Sequence, residues 1–221
     1  MANKADKTDA ESTSETQSES TDQLSDHELI SAYKGGDRDA FRGLVMKYEN
    51  RVFNHCMRMV NDEVESADLT QEVFLKVYRN IQNYEHTYSF YTWLYRITVN
   101  CCIDFMRKKK RQLSSVSLTQ THYDDSGNSG KEQDIPDETF GPEIQLANSE
   151  MSDLLNDAIN QLSEKLRVII VLKEIEGFSY DEISEILKCS RGTVKSRLFR
   201  ARERLKEILA PVMEEFGGVP E

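Results

Sequence analysis

Between Ser179 and Leu209 the chain reads SYDEISEILKCSRGTVKSRLFRARERLKEIL, and no other stretch narrows the possible folds as far. Ser179 followed three residues on by Glu182 is a capping box, in which each side chain satisfies an orphan amide at a helix start. Ile183, Ile186 and Leu187 then recur at helical spacing, and Ser190 is a good cap for a second helix. In that helix Val194, Leu198, Ala201, Leu205 and Ile208 fall at steps of four, three, four and three, one apolar stripe. Lys195, Ser196, Phe199 and Arg200 take the opposite side. From Arg191 to Ile208 there are seven basic residues against two acidic ones. Two short helices, a tight turn and a cationic second helix make a helix-turn-helix whose second helix enters a DNA major groove. The competing reading is a solvated basic helix in any bundle; box, turn, stripe and charge together favour DNA.

A formal net charge of −11 looks wrong for such a protein. Its distribution removes most of the conflict. Residues 1–24 carry −4 and residues 112–148 carry −6, while 25–111 carry +2 and 149–221 carry −3. The acidity sits in two polar segments with the composition of unfolded chain, and local cation patches decide where phosphate docks. Residues 1–24 are expected to be a disordered acidic tail. Residues 112–148, with Pro136 and Pro142, are too long for a loop inside a compact domain and read as a flexible linker. The chain thus divides into all-α domains at 25–111 and 149–213, with a short tail at 214–221.

The rest of the composition excludes more than it assigns. No apolar run is long enough to cross a bilayer, and the N-terminus is polar rather than a signal peptide, so the expected compartment is the cytoplasm, with no membrane insertion. Cys56, Cys101, Cys102 and Cys189 form no CxxC pair and lie at no zinc spacing from a histidine. They are read as reduced and structural. His55, inside a long apolar helix, has no partner at metal-site spacing, and no metal or cofactor is expected.

Structure should begin at Ser25-Asp26-His27-Glu28, a second capping box, and the helix should end at Gly35-Gly36-Asp37. A long core helix carries Phe41, Leu44, Val45, Tyr48, Val52, Phe53, Met57 and Val60. In the next, from Val64 to about Ile81, Leu69, Thr70, Val73, Phe74, Val77 and Ile81 cover one arc. Asp68, Gln71, Glu72, Leu75 and Arg79 cover the other, a face that by itself reads as solvated. Then follow an aromatic loop, Tyr84 to Ser89, and a helix from Phe90 through Trp93 and Asp104 that ends in Arg107-Lys108-Lys109-Lys110-Arg111. Dense aromatics usually mean core. Aromatics beside a run of cations also suit single-stranded DNA, whose bases stack on rings while cations follow the backbone, and a loop of this kind can take an extruded base. In the C-terminal half, Leu166 to Leu172 reads as a buried helix stopped by Glu174-Ile175-Glu176-Gly177, and Pro211 and Gly217-Gly218 should close the fold.

Three stretches, DLTQEVF from Asp68, FYTWLYRITVN from Phe90 and GTVKSRLFRAR from Gly192, occur in an order that resembles one family. They are similar to bacterial RNA polymerase sigma factors of the extracytoplasmic-function (ECF) subgroup of the sigma-70 family. The resemblance spans about residues 25–111 and 149–210. It implies a region 2 helical bundle and a region 4 helix-turn-helix joined by the linker. It also implies a core-polymerase face at Asp68, Gln71, Glu72 and Leu75, docking on the clamp of the largest subunit, with the flap of the second subunit as a further contact. A minus-ten DNA surface is implied at Tyr84, Tyr88, Phe90, Trp93, Asp104, Arg107, Lys108 and Lys109. A minus-thirty-five surface is implied at Arg191, Lys195, Ser196, Phe199 and Arg200. Partners would be core polymerase, promoter DNA and an anti-sigma factor, in a stress or envelope response. Three positions depart from the family pattern, and two of them, Lys188 and Ser190, stand in the turn where Gly and Pro are frequent. Asp104 is acidic where a base is read; an acid accepts from a cytosine amino group.

Two other function classes remain. A free-standing helix-turn-helix regulator binding duplex DNA as a dimer explains the C-terminal half but not the aromatic and basic end of the first. An enzyme acting on nucleic acid would need a catalytic motif, and the chain has no P-loop, nucleophile elbow or metal-spaced cluster. No catalytic residue is assigned.

Overall fold

The computed structural model describes residues 24–116, 151, 152 and 154–215. The expected tail and linker fall outside them except for Leu24 and residues 112–116. All regular structure among the described residues is helical, in two groups.

In the first group α1 (Asp26–Lys34) starts at the expected capping box: Ser25 Oγ accepts from the Glu28 amide, and Glu28 reaches back to the Ser25 amide at 2.8 Å. α2 (Asp39–Val60) ends at Asn61, which turns left-handed at φ 55° and donates its amide to the Met57 carbonyl. α3 (Glu63–Asn80) is started by the Asp62 carboxylate on the Glu65 amide and runs into a 3₁₀ turn at Ile81–Asn83. Ser89 Oγ then accepts the Thr92 amide and starts α4 (Phe90–Val116). α4 runs five residues past Arg111 into the stretch expected to be linker; Gln112 to Val116 contains no Gly or Pro to stop it. Leu44, Val52 and Met59 of α2, Val73 and Val77 of α3 and Leu94 and Val99 of α4 form the shared core. Every residue of the expected core arc of α3 is buried.

The second group opens with helical residues 154–160 (α5). α6 (Glu164–Ile170) continues through a wider π turn at Val171–Ile175, and Val168 to Leu172 are all buried, as a buried helix requires. Gly177 ends it at φ +75°, and the Phe178 amide reaches back to the Leu172 carbonyl, a Schellman-type stop that only a residue tolerant of positive φ accepts cheaply. α7 (Tyr180–Leu187) and α8 (Arg191–Glu215) form the helix-turn-helix. The turn keeps its geometry despite Lys188 and Ser190. Lys188 adopts the left-handed conformation (φ 48°), and Ser190 Oγ accepts the Thr193 amide. Pro211 does not close the fold: α8 passes through it to Glu215, forgoing one helical donor.

The two groups pack on one another, α4 against α7 and α2 against α6. Cys56 and Cys102 meet in the first core with sulfurs 3.7 Å apart, and all four cysteines are free thiols.

Candidate nucleic-acid interface

α3 is split along its length. Its inner arc is core, and Asp68, Gln71, Glu72 and Leu75 are all exposed on the outer one, Leu75 at 54% of its surface. Glu72 pairs with Lys76 one turn on at 2.7 Å. One exposed leucine thus stands among carboxylates and an amide on the outer arc. Tyr78 extends this side of the helix and packs edge-on against Phe41.

The residues assigned to minus-ten DNA separate into two sets. Tyr84 and Phe90 are 4% and 3% exposed and offer no ring face to a base. Tyr84 instead builds the loop. Its hydroxyl donates to the Tyr88 carbonyl at 2.6 Å, its own carbonyl accepts from Lys34 Nζ at 2.8 Å, and its ring packs against Phe90 and Trp93. Both rings are packed inside rather than at the surface, for a physical reason: the short helical loop must bury its own aromatics to hold a shape. Tyr88, at the loop's end, is exposed, and Trp93 is half-buried. Asp104, Arg107, Lys108 and Lys109 are exposed along the far end of α4, with Arg107 3.8 Å from Asp104 and Lys109 over the Phe105 ring.

Trp93 and Asp104 are eleven residues apart, about three helical turns, so they share a face. Exposed Asn100 and half-buried Arg96 lie between them on that stripe. Neither was singled out from the sequence, although the seven-four-three spacing of Trp93, Asn100, Asp104 and Arg107 already places them in line. The stripe runs roughly 20 Å, with an aromatic at one end and cations at the other.

On α8 the inner stripe is buried at Val194, Leu198 and Ala201, and Leu205 and Ile208 pack against the core. Lys195, Ser196, Phe199 and Arg200 all face outward, Phe199 at 66% exposure. Arg191 lies at the helix start but pairs with Asp181 of α7 at 3.0 Å. Arg202 is held by Glu174 through two nitrogens, at 3.0 and 2.6 Å, which removes it from the recognition face.

Among the described residues no three His, Cys, Asp or Glu side chains converge as a metal site would need, and no helix is long and apolar enough to cross a membrane.

The sequence matches the family model for sigma-70 region 2 over residues 44–112 and that for sigma-70 region 4 over residues 152–205. It is 36% identical over 194 residues to the ECF RNA polymerase sigma-E factor of Haemophilus influenzae, covering 87% of this chain and 99% of that one. It is 34% identical over 193 residues to the RNA polymerase sigma-H factor of Pseudomonas aeruginosa, covering 87% and 98%. The fold is similar to that of the sigma factor RpoE of Bartonella quintana, solved with the anti-sigma factor NepR, at a TM-score of 0.60 and 25% identity, over 77% of this chain and 96% of that one. It is also similar to CnrH, solved with the cytosolic domain of CnrY, at a TM-score of 0.58 and 21% identity, over 84% and 97%. With both regions matched in order, and relatives covered end to end at more than a third identity, the chain is a sigma factor of the sigma-70 family, of the ECF type.

Proposed function

We propose that this sigma factor binds core RNA polymerase through the exposed arc of α3 and reads promoter DNA at two points. It has no catalytic step of its own. The α4 stripe from Trp93 to Arg107, with Tyr88 at its head, engages the melted minus-ten strand, and Tyr84 and Phe90 hold the loop in shape behind it. The outward face of α8 reads the minus-thirty-five duplex through Lys195, Ser196, Phe199 and Arg200, with Arg191 on phosphate. One observation supports the reading: three separate helical faces expose polar and apolar residues together, at positions where the resemblance implies a contact. The relatives are matched through both halves over 98–99% of their length, which a free-standing duplex-binding regulator does not account for.

The protein acts in the cytoplasm, where the polymerase is, in a stress or envelope response. An anti-sigma factor is a fitting partner, because the sigma factor from Bartonella quintana was solved with one. The flap of the second polymerase subunit is the expected further contact for the C-terminal half.

The test separates the faces. Gln71→Ala with Glu72→Ala should weaken binding to core polymerase, whereas Arg200→Ala should weaken promoter binding by the holoenzyme and leave core affinity intact. Unchanged core affinity in the first pair would remove α3 as the docking face. Mapping transcript starts with purified core polymerase and this chain would define the promoter elements.

A further inference from the structure

The C-terminal half places one carboxylate where it has no use for it alone. Glu176 follows the π turn, and its side chain is only 9% exposed. Among the described residues, the hydrogen-bond partners of this side chain all come from the other half. Tyr95 and Tyr91 of α4 donate their hydroxyls to Oε2 at 2.6 and 3.0 Å, and His55 Nδ1 of α2 lies 3.2 Å from Oε1. Burial alone would raise the pKa of this acid, but the bonds from His55, Tyr95 and Tyr91 outweigh it and hold the carboxyl below its ordinary range. Next along the chain, Phe178 stacks on Tyr91 at 4.9 Å and meets Tyr95 edge-on at 5.1 Å. The capping-box glutamate of α7 takes part as well: Glu182 spends Oε2 on its own helix start and accepts Thr92 Oγ1 on Oε1 at 3.1 Å. Behind these, Arg167 Nη1 donates to the Met59 carbonyl at 2.7 Å. Glu185 of α7 raises the pKa of the phenol of Tyr88, a residue of the proposed minus-ten surface.

This packed arrangement conflicts with two-point reading. The two promoter elements are centred about 25 base pairs apart by their positions, roughly 85 Å of duplex at ~3.4 Å per pair. Helices that touch across hydrogen bonds of 2.6–3.2 Å cannot serve both. The α3 face and the recognition face of α8 stay exposed in this form, so what closure blocks is the separation of the halves, which engagement of polymerase by both of them also requires.

We propose that the contact between the two halves is an autoinhibitory closure, latched by Glu176 in the cradle of His55, Tyr91 and Tyr95, which must open before both promoter elements are read. This rests on the promoter-reading function proposed above. A carboxylate is suited to a reversible latch. Opened, it regains its hydration, and a buried ion that trades water for hydrogen bonds comes close to breaking even. Removing it from the closed form strands three donors, so the balance moves toward the open form.

The test uses the full chain. In a Cys189→Ser background, whose other three native cysteines are buried, exposed Met46 and Lys206 are replaced by cysteine and spin-labelled. The label-to-label distance distribution is then measured without polymerase. The parent should give one short, narrow distance. Glu176→Ala, and separately Tyr91→Phe with Tyr95→Phe, should raise the open, broad population at least tenfold. The two changes come from opposite sides of the contact, so a folding defect in one half, checked by circular dichroism, leaves the other variant to decide. Apparent affinity for core polymerase should rise in the same variants, because closure reduces it by the fraction of chains that are open. A parent already as long and broad as the variants overturns the closure. Variants that open without gaining polymerase affinity overturn the autoinhibition. Parent transcription on a mapped promoter, assayed alongside, tests the promoter-reading function separately, and its absence would remove that function while leaving the measured closure standing.

Discussion

Replacing Tyr84 discriminates between a ring that stacks on a base and a ring that holds up the loop. The ring is 4% exposed and packed against Phe90, Trp93 and His86. Its hydroxyl makes one hydrogen bond, to the Tyr88 carbonyl at 2.6 Å. Tyr84→Phe deletes that bond alone. Tyr88 is at the surface, so its carbonyl can recover water, and the loss should be about 1 kcal/mol. In a domain of roughly 90 residues that lowers the melting temperature of the N-terminal half by about 4–8 °C. Tyr84→Ala also removes the buried ring, at about 3–5 kcal/mol by analogy with Phe→Ala, and should shift the same transition by well over 10 °C. Promoter opening by the holoenzyme should fall in both, in proportion to the loosening of the loop rather than to the loss of a π face. Calorimetry of the full chain gives the transitions, and reactivity of unpaired thymines gives opening. If Tyr84→Ala abolished opening while its melting temperature moved by less than about 3 °C, the ring would be available to DNA and the supporting role wrong.

Three further outcomes follow from individual residues. Lys188→Gly should stabilise the C-terminal half by about 0.5–1 kcal/mol, because a left-handed conformation costs a non-glycine residue about 1–2 kcal/mol and glycine returns part of that as unfolded-state entropy; its melting transition should rise without change in promoter affinity. Phe199→Ala should leave stability within about 0.5 kcal/mol, since the ring is exposed, yet cost the holoenzyme roughly tenfold in minus-thirty-five affinity, read by duplex competition. The contact between the halves should weaken in acid. Glu176 has its folded pKa lowered by His55, Tyr95 and Tyr91 against the opposing effect of burial, so its contribution is fully present above about pH 4.5 and is lost as pH falls through the lowered value. The label distance should therefore lengthen as pH falls below about 4.5, and a distance unchanged through that range would show that Glu176 is not the group that holds the closure.

What the sequence made legible follows the range of each interaction. Capping boxes at Ser25 and Ser179 join residues three apart, and both stand in the structure with both reciprocal bonds. The inner and outer arcs of α3 and α8 are also periodic signals, and every residue assigned to them lies on its expected side. Misreadings came where local rules compete. Pro211 reads as a stop, but a proline on an exposed helix removes one donor without forbidding continuation, and α8 goes on. The burial of Tyr84 and Phe90 is not legible either, because aromatic density looks the same whether rings face in or out; only the packing of a short loop decides it. His55 is the harder case. From its own helix it is an apolar-face histidine with nothing to meet. It is fully buried, with its Nδ1 on a carboxylate 121 residues away. Glu176, in turn, reads as the last polar residue before a helix-stopping glycine. No periodicity links the two, since what joins them is the docking of two independently cored halves across a segment whose composition says only that it is long. The linker therefore permits both the closed form and the separation that a promoter demands. The choice between them falls to side chains such as Glu176, whose burial is worth little in either direction and so can be reversed by a binding partner.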